Sequence, residues 1–257
     1  MRGTTIADTS GGGARAGARG TATPRPASTV VLLRDGDHGL ETLLLRRNRA
    51  LAFAGGFWVF PGGSIDATEL RAADGDLQIA SRLAAVRETF EETGLRVDAG
   101  DLVPLSHWTT PLAERKRFAT HFFAAPLRGP AVLRVDGSEI EEGRWRGVSD
   151  ACAAQEAGRL RVLPPTYVTL LALRPFTSVS AVLARFRRPP WPSVTPVVIQ
   201  DGDAVVTLYP GDAGYGSADP RAKGPRHRAR RESGAWEFQC SGLEGSGVVP
   251  LVSGEGT

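Results

Sequence analysis

Arg87-Glu88-Thr89-Phe90-Glu91-Glu92-Thr93-Gly94-Leu95 places three carboxylates within five residues and closes on a glycine. The stretch before it, Asp76 to Val86, has helical periodicity. Ile79, Leu83, Val86 and Phe90 recur at spacings of four, three and four, which stacks them on one helix face. If that helix continues, Glu88 and Glu92 fall one turn apart on a shared face, with Glu91 three residues from Glu88. Gly94 is the residue able to turn left-handed and end the helix. Three like charges on one turn repel unless a cation sits among them, and hard oxygen donors suit Mg²⁺ or Mn²⁺. An acidic helix turn is more often a solvated face, so a metal site must be argued from its surroundings.

Those surroundings carry a second signal. Phe60-Pro61-Gly62-Gly63 is a tight turn following the apolar run Phe57-Trp58-Val59. From Gly63 to Leu95 the chain resembles the signature of the Nudix hydrolase family, Gly-x5-Glu-x7-Arg-Glu-U-x-Glu-Glu-x-Gly-U, where U is bulky and apolar. Gly63 and Glu69 match its first half, and Arg87, Glu88, Glu91, Glu92, Gly94 and Leu95 its second. Thr89 replaces one bulky apolar residue, and its methyl can still pack. The family leaves seven residues between its first glutamate and the arginine, whereas Leu70 to Val86 is seventeen. The insertion is expected to enlarge a loop at Arg71–Gly75 and to prolong the helix at its N-terminal end. It leaves open whether Glu69 is the first glutamate's counterpart.

A further resemblance narrows the branch. Leu43, Leu44, Arg47, Leu51 and Gly56, followed by Phe-Pro-Gly-Gly, are similar to the motif preceding the box in coenzyme A diphosphatases. That motif runs Leu-Leu-x-x-Arg-Ser-x-x-Leu-x-x-His-x-Gly, and this chain has Asn48 for its serine and Ala54 for its histidine. Trp108-Thr109-Thr110-Pro111, Arg117 to Phe123 and Pro164-Pro165-Thr166 resemble landmarks of family members with interrupted boxes.

The resemblance implies an α/β/α sandwich with a mixed sheet and metal-assisted hydrolysis of a diphosphate linkage. Glu88, Glu91 and Glu92 would hold one to three Mg²⁺ or Mn²⁺ ions, and Arg87 would fix a glutamate's rotamer. Gly62 and Gly63 would let the backbone turn closely beside the helix, at the substrate. Arg47 would grip a phosphate, and no organic cofactor is required. Some members recruit a late-loop glutamate as general base, which makes Glu139 a candidate, placed with Glu141 and Glu142 in a loop before Arg144-Trp145. Three readings stand. The substrate is coenzyme A or an acyl derivative, or it is ADP-ribose, a nucleotide sugar or a dinucleotide, or the module senses a nucleotide without catalysis. The intact glutamate set argues against the last, and Asn48 and Ala54 against the first.

The rest of the chain fits a small-molecule enzyme. Its 257 residues suit one domain with extensions, and the net charge of +3 gives no case for nucleic acid. No apolar run reaches the roughly 18 residues of a membrane span. Met1 to Ala27 is rich in Gly, Ala, Thr and Arg and reads as a disordered tail without a secretory core. Cys152 and Cys240 are too far apart for a Cys-x-x-Cys site, and a cytoplasmic location is the expectation. None of the four histidines has metal-ligand spacing, although His121 falls on a candidate strand near the site.

Residues 28–188 read as the catalytic domain. Paired strands are expected at Ser28–Arg34 and Leu40–Arg46, with further strands at Leu95–Ser106 and Phe118–Leu127. Helices are expected at Ser149–Gly158, capped by Ser149 or Asp150, and at Thr166–Leu173. Residues 189–257 read as a β-rich extension opened by Pro189-Pro190-Trp191-Pro192, with a hairpin at Gln200-Asp201-Gly202-Asp203. It would add strands to the domain or pair with a second copy in a homodimer. The basic run Arg221 to Arg231 has no interleaved aromatics and reads as a solvated loop, the alternative being an electrostatic contact with polyphosphate or RNA.

Overall fold

Two leucine- and valine-rich strands, β1 (Arg25–Gly36) and β2 (Gly39–Arg47), form a hairpin in the computed structural model, which describes residues 22–51, 54–135 and 137–252. They pair from Gly36–Gly39 to Leu33–Thr42 and then part. The chain returns between them as β3 (Trp58–Val59), antiparallel to β2, and β4 (Gly62–Ser64), antiparallel to β1. On the far side of β1 runs β6 (Phe118–Pro126), parallel over its whole length. β5 (Val103–Thr109) follows antiparallel, and β8 (Ser193–Val194) parallel to it. β7 (Ile140–Gly147) covers the outer edge of β2 and completes a mixed sheet of eight strands.

Alternation along the strands sorts side chains into two cores. Val30, Leu32, Leu43, Leu45, Phe123 and Ala125 face one way, toward Ala85, Leu95 and Leu102. Val31, Leu33, Leu44, Phe122 and Ala124 face the other, toward three later helices. The first face carries α1 (Ala67–Ala72) and α2 (Leu77–Thr93). The second carries α3 (Val148–Glu156), α4 (Pro164–Leu173) and α5 (Val179–Phe186). This is the expected α/β/α sandwich. A four-stranded antiparallel sheet follows: β9 (Val197–Asp201), β10 (Ala204–Leu208), β11 (Arg226–Arg231) and β12 (Trp236–Ser241). Tyr209, Ala229 and Trp236 share the second core, and Trp236 Nε1 donates to Val162 O at 3.1 Å, so the extension docks on the domain.

α2 is fixed at both ends by local chemistry. Asp76 Oδ1 accepts from the backbone N–H groups of Gln78 and Ile79, a cap of about 1 kcal/mol. Gly94, at φ 70°, closes the helix by donating its N–H to Phe90 O. Its buried face corrects the sequence reading. Ile79 and Phe90 are about half exposed, while Ala80, Ala84, Ala85 and Thr89 are buried. Small residues let the helix axis approach β1 and β4 closely, and Thr89 satisfies its hydroxyl on Ala85 O at 2.7 Å.

Other boundaries differ too. The expected strand from Leu95 starts only at Val103, because Asp98 caps a short 3₁₀ turn at Ala99–Asp101. The enlarged interval holds the end of α1 as well as a turn, with Asp74 and Gly75 both at positive φ. Glu141 and Glu142 lie in β7 rather than a loop, their charges tolerated on an edge strand. Gly147 occupies the cap position of α3, so Ser149 and Asp150 fall inside its first turn. The basic run is no solvated loop at its end: Arg226–Arg231 is β11, with His227, Arg228 and Ala229 buried. Arg228 is neutralised there by Asp212, through bonds of 2.7 and 2.6 Å. Arg25 to Ala27 belong to β1 rather than to a tail, and residues 1–21 of that expectation lie outside the described residues. No described helix is long and apolar enough to cross a membrane.

Candidate active site

The carboxylates gather where α2 crosses β4. Gly62 donates its backbone N–H to Glu92 Oε2 at 2.8 Å. A Cβ on Gly63 would lie 2.2 Å from Glu88 Oε1, and one on Gly62 only 2.3 Å from Ser28 O. Gly62 is also at φ 154°, so a side chain there is strained as well as crowded, whereas one at Gly63 would displace the Glu88 carboxylate.

Arg87 organises the cluster. Its Nε donates to Glu69 Oε1 at 2.6 Å, and one terminal nitrogen donates to Glu88 and Glu91, both at 2.9 Å. The other reaches Ser64 O at 3.0 Å. The bond to Glu69, helped by Glu88, raises the guanidinium's pKa and holds it firmly charged. Glu69 is buried and locked by a reciprocal cap: its Oε2 accepts from Asp66 N while Asp66 accepts from Glu69 N. The insertion therefore loops out without displacing Glu69, the position that sequence spacing left open.

Burial dominates the electrostatics. It pushes the Glu92 carboxyl up to about 8, against the opposing pull of the Gly62 N–H, with Glu88 adding to the rise. Burial raises Glu88 as well, partly offset by Arg87. Glu91, in contrast, is exposed. Arg47 and Glu139 join the site from the β2 edge, paired at 3.4 Å, and both bear on the charge of Glu92. Asn48 fixes this corner: its amide donates to Ser138 O and its carbonyl oxygen accepts from Ala50 N. Ala54 sits at φ 53°, a conformation ordinarily taken by Gly, Asn, Asp or His.

Glu88, Glu91, Glu92, Arg87, Gly62, Gly63, Arg47 and Glu139 thus meet in one region. His121 does not join them. Across the sheet it is the register partner of Ser28, itself the partner of Gly63, and its ring lies tilted against His107 with centroids 4.6 Å apart. Burial, with His107 beside it, lowers its pKa to about 4.

Among the described residues no three carboxylate, imidazole or thiolate side chains converge as a finished ligand set. Glu91 turns to Arg87, and Glu92 to Gly62. The donor chemistry nevertheless fits a hard divalent cation. Five carboxylates (Glu69, Glu88, Glu91, Glu92 and Glu139) face two guanidinium groups, Arg87 and Arg47. On α2, Glu88 and Glu92 are less exposed than Glu91, and burial makes their charge uncomfortable without a cation.

Comparison with known proteins agrees with this geometry. The family model described as the NUDIX domain matches residues 23–165. The chain is 25% identical to putative nudix hydrolase 7 of Caenorhabditis elegans over 52% of its length, and the match spans 55% of that protein. It is 22% identical to the acyl-coenzyme A diphosphatase NUDT19 of Xenopus laevis, over 72% of this chain and 74% of that one. In fold it is similar to a NUDIX hydrolase from Alicyclobacillus acidocaldarius, with a TM-score of 0.59 and 24% identity, covering 66% of this chain and all of the other. The domain match covers more than half of the sequence and contains every carboxylate of the cluster, and this chain belongs to the Nudix hydrolase family.

Proposed function

We propose that the chain is a divalent-metal-dependent diphosphatase acting on a nucleoside diphosphate derivative, with coenzyme A or an acyl-coenzyme A as the leading substrate class. The observation that carries this reading is the placement of buried Glu92 and partly buried Glu88, both poorly solvated, against the Gly62–Gly63 backbone. Glu88, Glu91 and Glu92 would hold Mg²⁺ or Mn²⁺. Such an ion neutralises phosphate oxygens and lowers the pKa of an attacking water.

The chain's own residues do the remainder. Arg87 spends its donors on Glu69, Glu88, Glu91 and Ser64 O, so it orients carboxylates rather than touching substrate. Arg47 holds Glu139 only loosely, and among the described residues its buried Nε has no hydrogen-bond partner. It therefore has donors to turn toward a phosphate, as a guanidinium does bidentately. Glu139, exposed at the rim beside Arg47, would accept a proton from the nucleophilic water.

Support for the coenzyme A class comes from Leu43, Leu44, Arg47, Leu51 and Gly56 and from the name of the frog relative. Asn48 and Ala54 depart from that pattern, and Ala54 supplies no polar side chain at the mouth. ADP-ribose, nucleotide sugars and dinucleotides form the competing class. Steady-state kinetics of Arg47→Ala test the assignment. With coenzyme A as substrate, KM should rise more than kcat falls. Efficient cleavage of ADP-ribose with coenzyme A untouched would overturn it.

A further inference from the structure

A cavity lies on the opposite face of the sheet from the glutamates. It measures about 560 Å³, within the size range of small-molecule pockets. Leu105 and Trp108 of β5 form its floor, and Val168, Ala172 and Leu173 of α4 one side. Phe186 of α5 and the C-terminal segment Val249–Leu251 close the others. Leu105, Trp108 and Leu173 belong to the second core, whereas α2 and its carboxylates stand on the first.

The polar groups in this lining are few, and two are already satisfied. Thr169 Oγ1 donates to Pro165 O at 2.7 Å, and Ser106 Oγ accepts from Trp108 Nε1 at 3.0 Å. The remaining polar lining group is Arg185, an exposed cation resting near the Phe186 ring. Arg188 follows just beyond the end of α5. Among the described residues neither arginine has a carboxylate within ion-pair distance, unlike Arg87, Arg174 or Arg228. A lining of mainly apolar side chains, with an arginine at its edge that has no ion-pair partner among the described residues, is complementary to an apolar chain ending in an anion.

We propose that this cavity binds a single-chain amphiphile with an anionic head, such as a fatty carboxylate. The chain would lie between Trp108 and Ala172, and the head would pair with Arg185. The site is separate from the diphosphate site, because the sheet stands between them.

The test uses the full-length protein with a C16 carboxylate, kept below its micelle-forming concentration, and the matching fatty alcohol as the uncharged control. Calorimetry should give one saturable carboxylate site per chain. Arg185→Ala should weaken carboxylate binding by about tenfold or more and leave the alcohol unchanged, as loss of a charge-assisted hydrogen bond requires. Ala172→Trp, which narrows the cavity between Ala172 and Trp108, should weaken binding strongly while the melting temperature is retained. If Ala172→Trp does not fold, a chain brominated at mid-length gives the same answer by quenching Trp108 fluorescence, and Trp108→Phe removes that quenching without removing binding. Absence of saturable binding, or equal binding by wild type and the Ala172→Trp and Arg185→Ala variants, overturns the proposal. So does displacement of the carboxylate by excess coenzyme A or ADP-ribose, which would place the chain in the diphosphate site. Undiminished binding in their presence supports the proposal.

Discussion

Glu69 on α1 accepts a hydrogen bond from Arg87 Nε on α2 at 2.6 Å, closing an insertion of ten residues beyond the family spacing. The extra residues fold as the end of α1, a turn and the first turns of α2, and the guanidinium still reaches its carboxylate. Glu69→Gln keeps the capping geometry but removes the charge that anchors Arg87. Divalent-metal affinity should fall about 10–100-fold, as for other supports of metal ligands, while the fold persists. Calorimetric titration with Mn²⁺ checks this, and unchanged affinity would remove Glu69 from the site.

The paired glycines make separable predictions. Gly63→Ala drives a methyl into the Glu88 carboxylate, so turnover should drop with little change in stability. Gly62→Ala meets Ser28 backbone at positive φ and disrupts the pairing of β4 with β1. Strain of about 1–3 kcal/mol is expected there. At roughly 2–4 °C per kcal/mol for a chain of this size, the melting temperature should fall by several degrees. Thermal scans and rates of both variants, measured side by side, would expose the idea as wrong if the two behaved alike.

Glu92 links protons to metal. Burial raises its pKa to about 8 from 4.5, so the metal-free protein carries the proton at pH 7. Its contribution to stability is full below 4.5 and is lost as pH rises through about 8. Loading a divalent ion at pH 7 should release ~1 proton. Titration in two buffers of different ionisation enthalpy reads that number directly, and zero release would contradict the assignment.

His121 works in the opposite sense. Its pKa is pushed down to about 4 from 6.5, so the folded chain binds fewer protons than the unfolded one between those values. Stability is full above 6.5 and is lost as pH falls from 6.5 through about 4. Wild type should therefore lose melting temperature more steeply over that window than His121→Gln. Parallel curves would mean that the imidazole is not held neutral by its surroundings.

The boundary at the N-terminus is equally testable. Ala22 accepts from Arg117 at 2.9 Å, and Arg25 to Ala27 pair with β6, with Ala27 also pairing with β4. Removing residues 1–21 should leave melting temperature and activity nearly unchanged, whereas removing residues 1–27 should lower both. A large loss from the shorter deletion would mean that the segment docks.

Local spacing made the box, the C-terminal end of α2 and the β1–β2 hairpin legible, because Gly94 and the short apolar runs Val30–Leu33 and Leu43–Leu45 act within a few residues of themselves. The face of α2 was not legible that way. Ile79, Leu83, Val86 and Phe90 have the stronger apolar pattern, yet the helix buries alanines because close approach to β4 matters more than side-chain size. β7 was obscured by Glu141, Glu142 and Arg144, whose charges suit a strand at a sheet edge. Burial of Arg228 depends on Asp212, sixteen residues away across a turn, and no local pattern announces such a pair. Within the site, spacing alone left Glu69 open, since only folding shows where a seventeen-residue interval goes.

The measurement that bears most directly on the central claim is product analysis by mass for wild type and Glu88→Gln. Both are incubated with Mg²⁺ or Mn²⁺ and a panel of coenzyme A, an acyl-coenzyme A, ADP-ribose, a nucleotide sugar and a dinucleotide. Wild type should split at least one of these across its diphosphate, coenzyme A giving 3′,5′-ADP and 4′-phosphopantetheine. Glu88→Gln, folded, should be slower by on the order of 10² to 10⁴. No cleavage of any member of the panel with either ion, or equal turnover by the two proteins, would contradict the account.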